Sequence, residues 1–231
     1  MAESILIVGA GPGLGASIGR RFAAEGYKVA VASRSKAKID AVAAAVGDGA
    51  RGYAADATDE AAVKALYARV TAELGAPAVV VFNASGRVRK SVLDIEADEF
   101  IAAWMAACHG GFLVGREAAR AMVPRGAGTI LFTGATASVK SYANSAGFAV
   151  GKFGLRALAF SMARELGPKG VHVGHIVVDG GIRDGRRPED PAQPDRWLEP
   201  DAIADSYWHL HAQHRSSWTV ELDVRPWVEQ F

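Results

Sequence analysis

The chain has 231 residues, of which 26 are basic and 25 acidic, and 50% of its residues are hydrophobic. This length is usual for one domain, and the apolar content is sufficient for a core, which excludes a chain that is disordered throughout. The formal net charge of +1 excludes a polybasic protein that binds nucleic acid or anionic membranes through its overall charge. We therefore expect a single domain over residues 1–231 that has neither nucleic acid nor a membrane as a partner.

Apolar runs of strand length alternate with helical patterns along most of the chain. The strand candidates are residues 4–8, 28–32, 51–55, 78–82, 129–132 and 171–178. The helical patterns cover residues 14–25, 36–46, 59–74, 97–122 and 146–166. Because most of the strand candidates are apolar without interruption, they fit strands that are covered on both faces. The pattern predicts an α/β fold, a single-domain doubly wound parallel sheet with helices on both faces.

The C-terminal third of the chain has a different composition. Residues 183–200 combine proline with charge and have neither helical nor strand periodicity, so we expect a mobile loop beside the substrate. A short helix over residues 201–212 and a last strand near residues 217–224 follow. The two long helical patterns, 97–122 and 146–166, are apolar on more than one face, which favours an interface between copies of the chain.

The start of the chain and its cysteine content bear on its location in the cell. Glu3 and several glycines stand where a signal peptide has an uninterrupted apolar stretch. No run of about 18 apolar residues could cross a membrane as a helix. Cys108 is the only cysteine, so a disulfide within the chain and a zinc site with several cysteines are excluded. These features predict a soluble cytoplasmic protein, and we expect no metal site.

A glycine-rich sequence, GAGPGLG, occupies residues 9–15, directly after the first strand candidate and at the start of the first helix. Glycines let the backbone turn tightly and approach a pyrophosphate, and free N–H groups at a helix N-terminus stabilise its charge. A glycine cluster alone is a weak signal, but its place between a strand and a helix makes it specific. The sequence therefore predicts a dinucleotide site that includes Gly9, Gly13, Leu14 and Gly15.

The end of the second strand candidate indicates which dinucleotide binds. An acidic residue there would accept hydrogen bonds from a ribose 2′-OH and repel a 2′-phosphate, but the chain has Ser33 and Arg34 instead. A guanidinium can bind a phosphate through two parallel hydrogen bonds. We therefore expect NADP(H) as the cofactor, with NAD(H) as the less favoured alternative.

At these positions the sequence resembles the short-chain dehydrogenase/reductase family, and the resemblance covers nearly the whole chain. Gly9, Gly13 and Gly15 match the Gly-x-x-x-Gly-x-Gly pattern of that family. The resemblance implies a Rossmann fold, an oxidoreductase activity and a homodimer or homotetramer built on the two long helices. It also implies that the cofactor contacts Asp56, Ala57, Asn83, Ala84, Lys152 and the backbone of Ile182.

The sequence departs from the family pattern at the expected catalytic site. Lys152 is present, but the tyrosine four positions before it is Phe148, and the serine thirteen positions before that is Ala135. Phenylalanine has no proton to give to a substrate oxygen, and general acid catalysis typically contributes about 10² to 10⁴ in rate. Thr136 and Tyr142 are the first candidates for a replacement donor, and Ser85, His109 and Ser138 are further ones. We expect Ala135 and Phe148 to form an apolar substrate pocket.

Two functions fit this combination of features. The first is an NADP(H)-dependent oxidoreductase that transfers hydride to or from a small carbonyl, imine or alcohol substrate, with an atypical active site. The alternative is an NADP(H)-binding pseudoenzyme that acts as a redox sensor or as a partner subunit. Arg87, Arg89 and Lys90 follow the fourth strand and border the expected cofactor site, where they form either a solvated loop or a site for a negatively charged substrate.

Overall fold

Seven parallel strands form the centre of the computed structural model, which describes residues 2–228. The strands lie in the order β3-β2-β1-β4-β5-β6-β7. Their bounds are β1 Ser4–Val8, β2 Lys28–Ser33, β3 Arg51–Ala54, β4 Val79–Phe82, β5 Gly128–Thr133, β6 Val171–Val178 and β7 Glu221–Val224. All six pairings between neighbouring strands are parallel. The predicted doubly wound sheet is therefore confirmed, and the last strand is shorter than expected.

Helices connect these strands across both faces of the sheet. They are α1 Leu14–Ala24, α2 Lys36–Val46, α3 Glu60–Leu74, α4 Ala97–Trp104, α5 Gly110–Met122, α6 Ala146–Leu166 and α7 Pro200–Ala212. Consecutive residues of β1 enter different cores: Leu6 packs with α3, α5 and α6, and Ile7 packs with α1, α2 and α7. Both sets of side chains are fully buried, which explains why the strands are apolar at every position rather than at every second one.

The strand order places a crevice beside β1. The chain moves outward from β1 to β2 and β3, and then returns to add β4 on the other side of β1. The connections after β1 and β4 therefore leave the sheet in opposite directions at its carboxyl edge. Such a switch point leaves an open crevice, which is the usual ligand site of open α/β sheets.

The predicted helix over residues 97–122 is interrupted in the structure. A π-helical turn, Met105–His109, separates α4 from α5. This turn contains an extra residue, so the helical spacing before it does not continue after it. As a result Trp104 and Phe112 are 37% and 40% exposed, whereas Met122 is fully buried. Val150 and Phe153 on α6 are exposed as well, at 45% and 40%.

Residues 183–200 contain no helix or strand before α7 begins, as their composition indicates. Their ends are held together, because Arg183 N–H donates to the Leu198 carbonyl and Leu198 N–H donates to the Gly181 carbonyl, both at 2.8 Å. Over the described residues 2–228, no helix is both long and apolar enough to cross a membrane.

Candidate functional site

Two connected cavities form one crevice along the carboxyl edge of the sheet. The larger, of about 500 Å³, lies between the glycine-rich turn and the start of α6, and the smaller, of about 220 Å³, lies beyond the ends of β2 and β3. Gly9, Asn83 and Ser85 line both cavities and so connect them. We call the two extremes of this crevice the Lys152 end and the Arg34 end.

The glycine-rich turn forms the wall between the two ends. Gly9 has a φ of +83°, and a Cβ atom there would lie 2.3 Å from the backbone nitrogen of Ala84, so a larger residue cannot fit. At Gly11 and Gly13 the space beside the backbone is open for 4 Å. No side-chain oxygen caps the start of α1, and its first turn has no acidic residue. The turn therefore presents a helix N-terminus and open backbone to an anion, which suits a pyrophosphate.

The Arg34 end combines an exposed cation with an ionised carboxylate. Arg34 and Ser33 line it together with Asp56, Ala57 and Ala84. Asp56 Oδ1 accepts hydrogen bonds from Thr58 N–H at 2.9 Å and from Thr58 Oγ1 at 2.8 Å. These hydrogen bonds, with the charge of Arg34, lower the pKa of the Asp56 carboxyl. The Asp56 carboxylate is thus available as a hydrogen-bond acceptor, and the Arg34 guanidinium as a cation, to an adenosine bound at this end.

Asn83 fixes the glycine-rich turn against the end of β4. Its Nδ2 donates to the Gly9 carbonyl at 3.1 Å, and its backbone N–H donates to the Val8 carbonyl at 2.7 Å. Asn83 and Gly9 therefore hold the two loops at the switch point in a fixed relative position.

The Lys152 end contains one buried cation. Lys152 is 3% exposed, and its Nζ donates to the Thr133 carbonyl at 2.7 Å. Burial, with a smaller contribution from the charge of Arg87, lowers the pKa of the Lys152 ammonium to about 7. Near neutral pH this amine is therefore balanced between its charged and neutral forms, as a group that exchanges protons requires.

An apolar wall stands beside this amine. Phe148 is 3% exposed and packs with Ala135, Ala137 and Ala149 in a small separate core. Phe148 and Ala135 also line the larger cavity. The Arg87 guanidinium carbon lies 4.9 Å from the centre of the Phe148 ring, a cation–π contact at the same end of the crevice.

Of the candidate proton donors, neither Thr136 nor Tyr142 lines the crevice, whereas Ser85 does. Thr136 Oγ1 donates to Asp179 Oδ1 at 2.5 Å, so its hydroxyl proton is already engaged in a hydrogen bond. Tyr142 precedes α6, which begins at Ala146, and it is 42% exposed on the wall of a different cavity with Val150. The hydroxyls that do line the larger cavity belong to Ser85 and Thr133. The Thr133 hydroxyl is hydrogen-bonded to Tyr207 Oη at 2.7 Å.

The comparisons with known proteins agree with this geometry. A family model described as short chain dehydrogenase matches residues 3–183. The chain belongs to the short-chain dehydrogenase family. It is 31% identical over 182 residues to the 3-oxoacyl-[acyl-carrier-protein] reductase MabA of Mycobacterium avium. This match covers 79% of this chain and 68% of the relative. It is 28% identical to the 3-oxoacyl-[acyl-carrier-protein] reductase FabG of Escherichia coli, over 77% of this chain and 72% of the relative.

Solved structures of short-chain dehydrogenases superpose on nearly the whole chain. A short-chain dehydrogenase from Rhodopseudomonas palustris has a TM-score of 0.83 and 37% identity, and covers 97% of this chain and 99% of its own. A metagenomic short-chain oxidoreductase in complex with NADP has a TM-score of 0.82 and 27% identity, with 97% of each chain covered. The predicted family, fold and oxidoreductase class are therefore confirmed.

The surroundings of Lys152 bear on the predicted departure from the family pattern. The assignment of Ala135 and Phe148 to the family's serine and tyrosine positions stays a prediction. The contact between Arg87 and Phe148 was missed by the sequence reasoning, although Arg87 directly follows the sequence NASG of residues 83–86. The cavity is also lined by three arginines of the irregular segment, whose positions no periodicity could indicate, namely Arg183, Arg186 and Arg187.

Proposed function

We propose that the protein is an NADP(H)-dependent oxidoreductase that transfers hydride to or from a small carbonyl, imine or alcohol substrate. The observation that carries this proposal is the continuity of the crevice. Its wall at residues 9–15, where the backbone is open at Gly11 and Gly13, leads directly to the buried amine of Lys152. A site for a phosphate-linked cofactor therefore adjoins a group that can exchange a proton.

The residues present fit a nicotinamide dinucleotide, which when bound supplies or accepts the hydride. The turn of residues 9–15, with open backbone at Gly11 and Gly13, would hold the pyrophosphate, and Arg34 a 2′-phosphate. The exposed Arg34, with no acidic residue in its place, supports NADP(H) over NAD(H). The other cofactor contacts are proposed for residues that line the crevice: Asp56, Ala57, Asn83, Ala84, Lys152 and Ile182.

We assign the proton to Lys152 Nζ. Reduction of a carbonyl adds a hydride to carbon and needs one proton at oxygen, and oxidation of an alcohol releases that proton. A protonated Lys152 can give it and a neutral Lys152 can accept it, since its pKa is lowered to about 7. Thr136 and Tyr142 lie outside the crevice lining, which favours Lys152 over either of them. Phe148 and Ala135 would exclude water beside the reacting carbon.

Titration of the purified protein with NADPH, followed by a screen of ketones, cyclic imines and alcohols, tests the proposal. We expect NADPH to bind about tenfold or more tightly than NADH, and saturable oxidation of NADPH with at least one substrate. Failure to bind either nucleotide would overturn the proposal.

The apolar Phe148 wall favours a second candidate, a pseudoenzyme that binds NADP(H) and serves as a redox sensor or a partner subunit. Tight NADPH binding without turnover in the whole screen would support it. An increase in ketone reduction on Phe148→Tyr would instead show that the site can perform the chemistry once a hydroxyl is restored.

The exposed apolar side chains of α4–α6 support a further proposal, a cytoplasmic homodimer or homotetramer. Trp104 on α4, Phe112 on α5 and Phe153 on α6 are each at least 37% exposed. Light scattering should give a mass of two or four chains. Trp104→Glu should reduce that mass, and a wild-type monomer would contradict the proposal.

The irregular segment 183–200 is proposed to act as a mobile substrate loop. Residues 183–187 contribute to the lining of the larger cavity, so the segment can close on a ligand there. Limited proteolysis within residues 183–200 should slow when NADP⁺ is present. Equal cleavage rates with and without the nucleotide would contradict this role.

A further inference from the structure

We propose that Arg87 determines substrate specificity by binding a carboxylate of the substrate at the Lys152 end of the crevice, so that the enzyme acts on oxo acids. This inference rests on the proposed function above. The proposed function gives Arg87 no role in cofactor binding, because the pyrophosphate and the 2′-phosphate already have proposed sites at residues 9–15 and at Arg34.

The charge of the larger cavity points to an anionic ligand. Among residues 2–228, five basic side chains and one acidic side chain line it, whereas the whole chain has a formal charge of +1. Two of the five are neutralised in place, because Arg183 pairs with Glu199 and Arg187 lies 3.6 Å from Asp184. A surplus of positive charge remains in a concave site, where it raises the local concentration of anions.

Arg87 is the member of this set that lies against Phe148, beside the expected reaction centre. Within residues 2–228, no carboxylate pairs with its guanidinium and no hydrogen bond engages it. Desolvation lowers the pKa of Arg87, and the charges of Arg89 and Arg187 add to this shift. A guanidinium in this situation retains its full set of donors for a ligand, and a carboxylate matches their geometry with two parallel hydrogen bonds.

Phe148 holds the guanidinium at that place. The ring supports Arg87 through the cation–π contact of 4.9 Å, and it lines the cavity together with Lys152. Phe148, which has no proton to donate, therefore supports the Arg87 guanidinium. A substrate whose carboxylate binds Arg87 would place its oxo group near Lys152.

A bound carboxylate would also affect the proton donor. The charge of Arg87 contributes to the lowered pKa of Lys152. Neutralisation of that charge by a substrate carboxylate would raise the pKa of Lys152 and keep more of it protonated at neutral pH. An oxo acid would thus favour the charged form of Lys152, which gives the proton that the reduction needs at the substrate oxygen.

Matched acids and esters test the assignment. Acetoacetate, 2-oxobutanoate and levulinate, each beside its methyl ester, are titrated into the protein saturated with NADP⁺ and then assayed as substrates with NADPH. We expect at least one acid to bind about tenfold or more tightly than its ester. Arg87→Gln should weaken that acid about 10- to 100-fold, as expected for a hydrogen-bonded charge pair, and leave the ester unchanged within about twofold.

Two further variants show whether the effect belongs to the guanidinium. Arg87→Lys keeps the charge but loses the paired hydrogen bonds, so it should recover only part of the affinity. Arg89→Gln removes the same charge from the same loop, but Arg89 does not line the cavity, so the acid should weaken by less than about threefold. In both variants the binding of the ester should stay at its wild-type value.

Three results would overturn the assignment. These are no preference for any acid over its ester, an equal loss for acid and ester in Arg87→Gln, and a loss of NADPH affinity in that variant as large as the loss for the acid. The titration with NADPH needs no substrate, so failure of the proposed function, with no nucleotide bound, is seen separately.

Discussion

At the glycine-rich turn the crevice is built from backbone atoms, whereas at its Lys152 end it depends on three side chains. Gly9 has space for no Cβ atom beside Ala84, so the turn is fixed by the fold itself. At the other end, the environment of Lys152 depends on Phe148 and Arg87, neither of which the sheet requires. The comparison teaches that the side chains around Lys152 can change while the backbone of the glycine-rich turn is kept.

Substitution at Lys152 should produce the largest effect on turnover. Lys152→Met removes the proposed proton donor, so the turnover number should fall about 10²- to 10⁴-fold while NADPH affinity changes far less. In the wild type, reduction should slow as pH rises above about 7, because the ammonium loses its proton there. Steady-state rates and NADPH titrations across pH measure both. Full activity in Lys152→Met would assign the proton to another group.

Substitution at Gly9 should have the opposite pattern, with binding lost before chemistry. In Gly9→Ala the new Cβ would meet the Ala84 backbone at 2.3 Å, so the loop must move, and NADPH affinity should fall by about 100-fold or more. Gly26 has the same φ of +83° with open space around it, so Gly26→Ala reproduces the backbone strain without the collision. NADPH titration of both variants tests this prediction. Equal affinities would show that NADPH binding does not depend on the close approach of Gly9 to Ala84.

Arg34 offers a smaller change at the far end of the crevice. Arg34→Gln should weaken NADPH about tenfold or more and leave NADH nearly unchanged, because a charge-assisted contact to the 2′-phosphate is lost. Lys38→Gln is a matched control, since Lys38 is exposed on α2 and does not line the crevice. If the affinities for NADPH and NADH fall equally in Arg34→Gln, Arg34 does not bind the 2′-phosphate.

The two ends of the crevice also differ in what their sequence could reveal. The strands and residues 9–15 were predictable because burial on both faces and a tight turn each restrict residue type locally. The contact of Arg87 with Phe148 joins positions far apart in the sequence, so no local pattern contains it. The π-helical turn was missed for a related reason, since α4 and α5 each have ordinary helical spacing and the one extra residue between them leaves no local pattern.

The buried amine should also affect the stability of the protein without cofactor. Between pH 7 and its ordinary value of 10.5, Lys152 binds a proton in the unfolded chain but not fully in the folded one. Stability should therefore rise with pH across this window, by up to about 1.4 kcal/mol per pH unit from this group. Urea unfolding of the wild type and Lys152→Met at several pH values isolates the contribution. The difference between them should shrink as pH rises, with Lys38→Met as an exposed control, and a difference independent of pH would mean that Lys152 keeps an ordinary pKa.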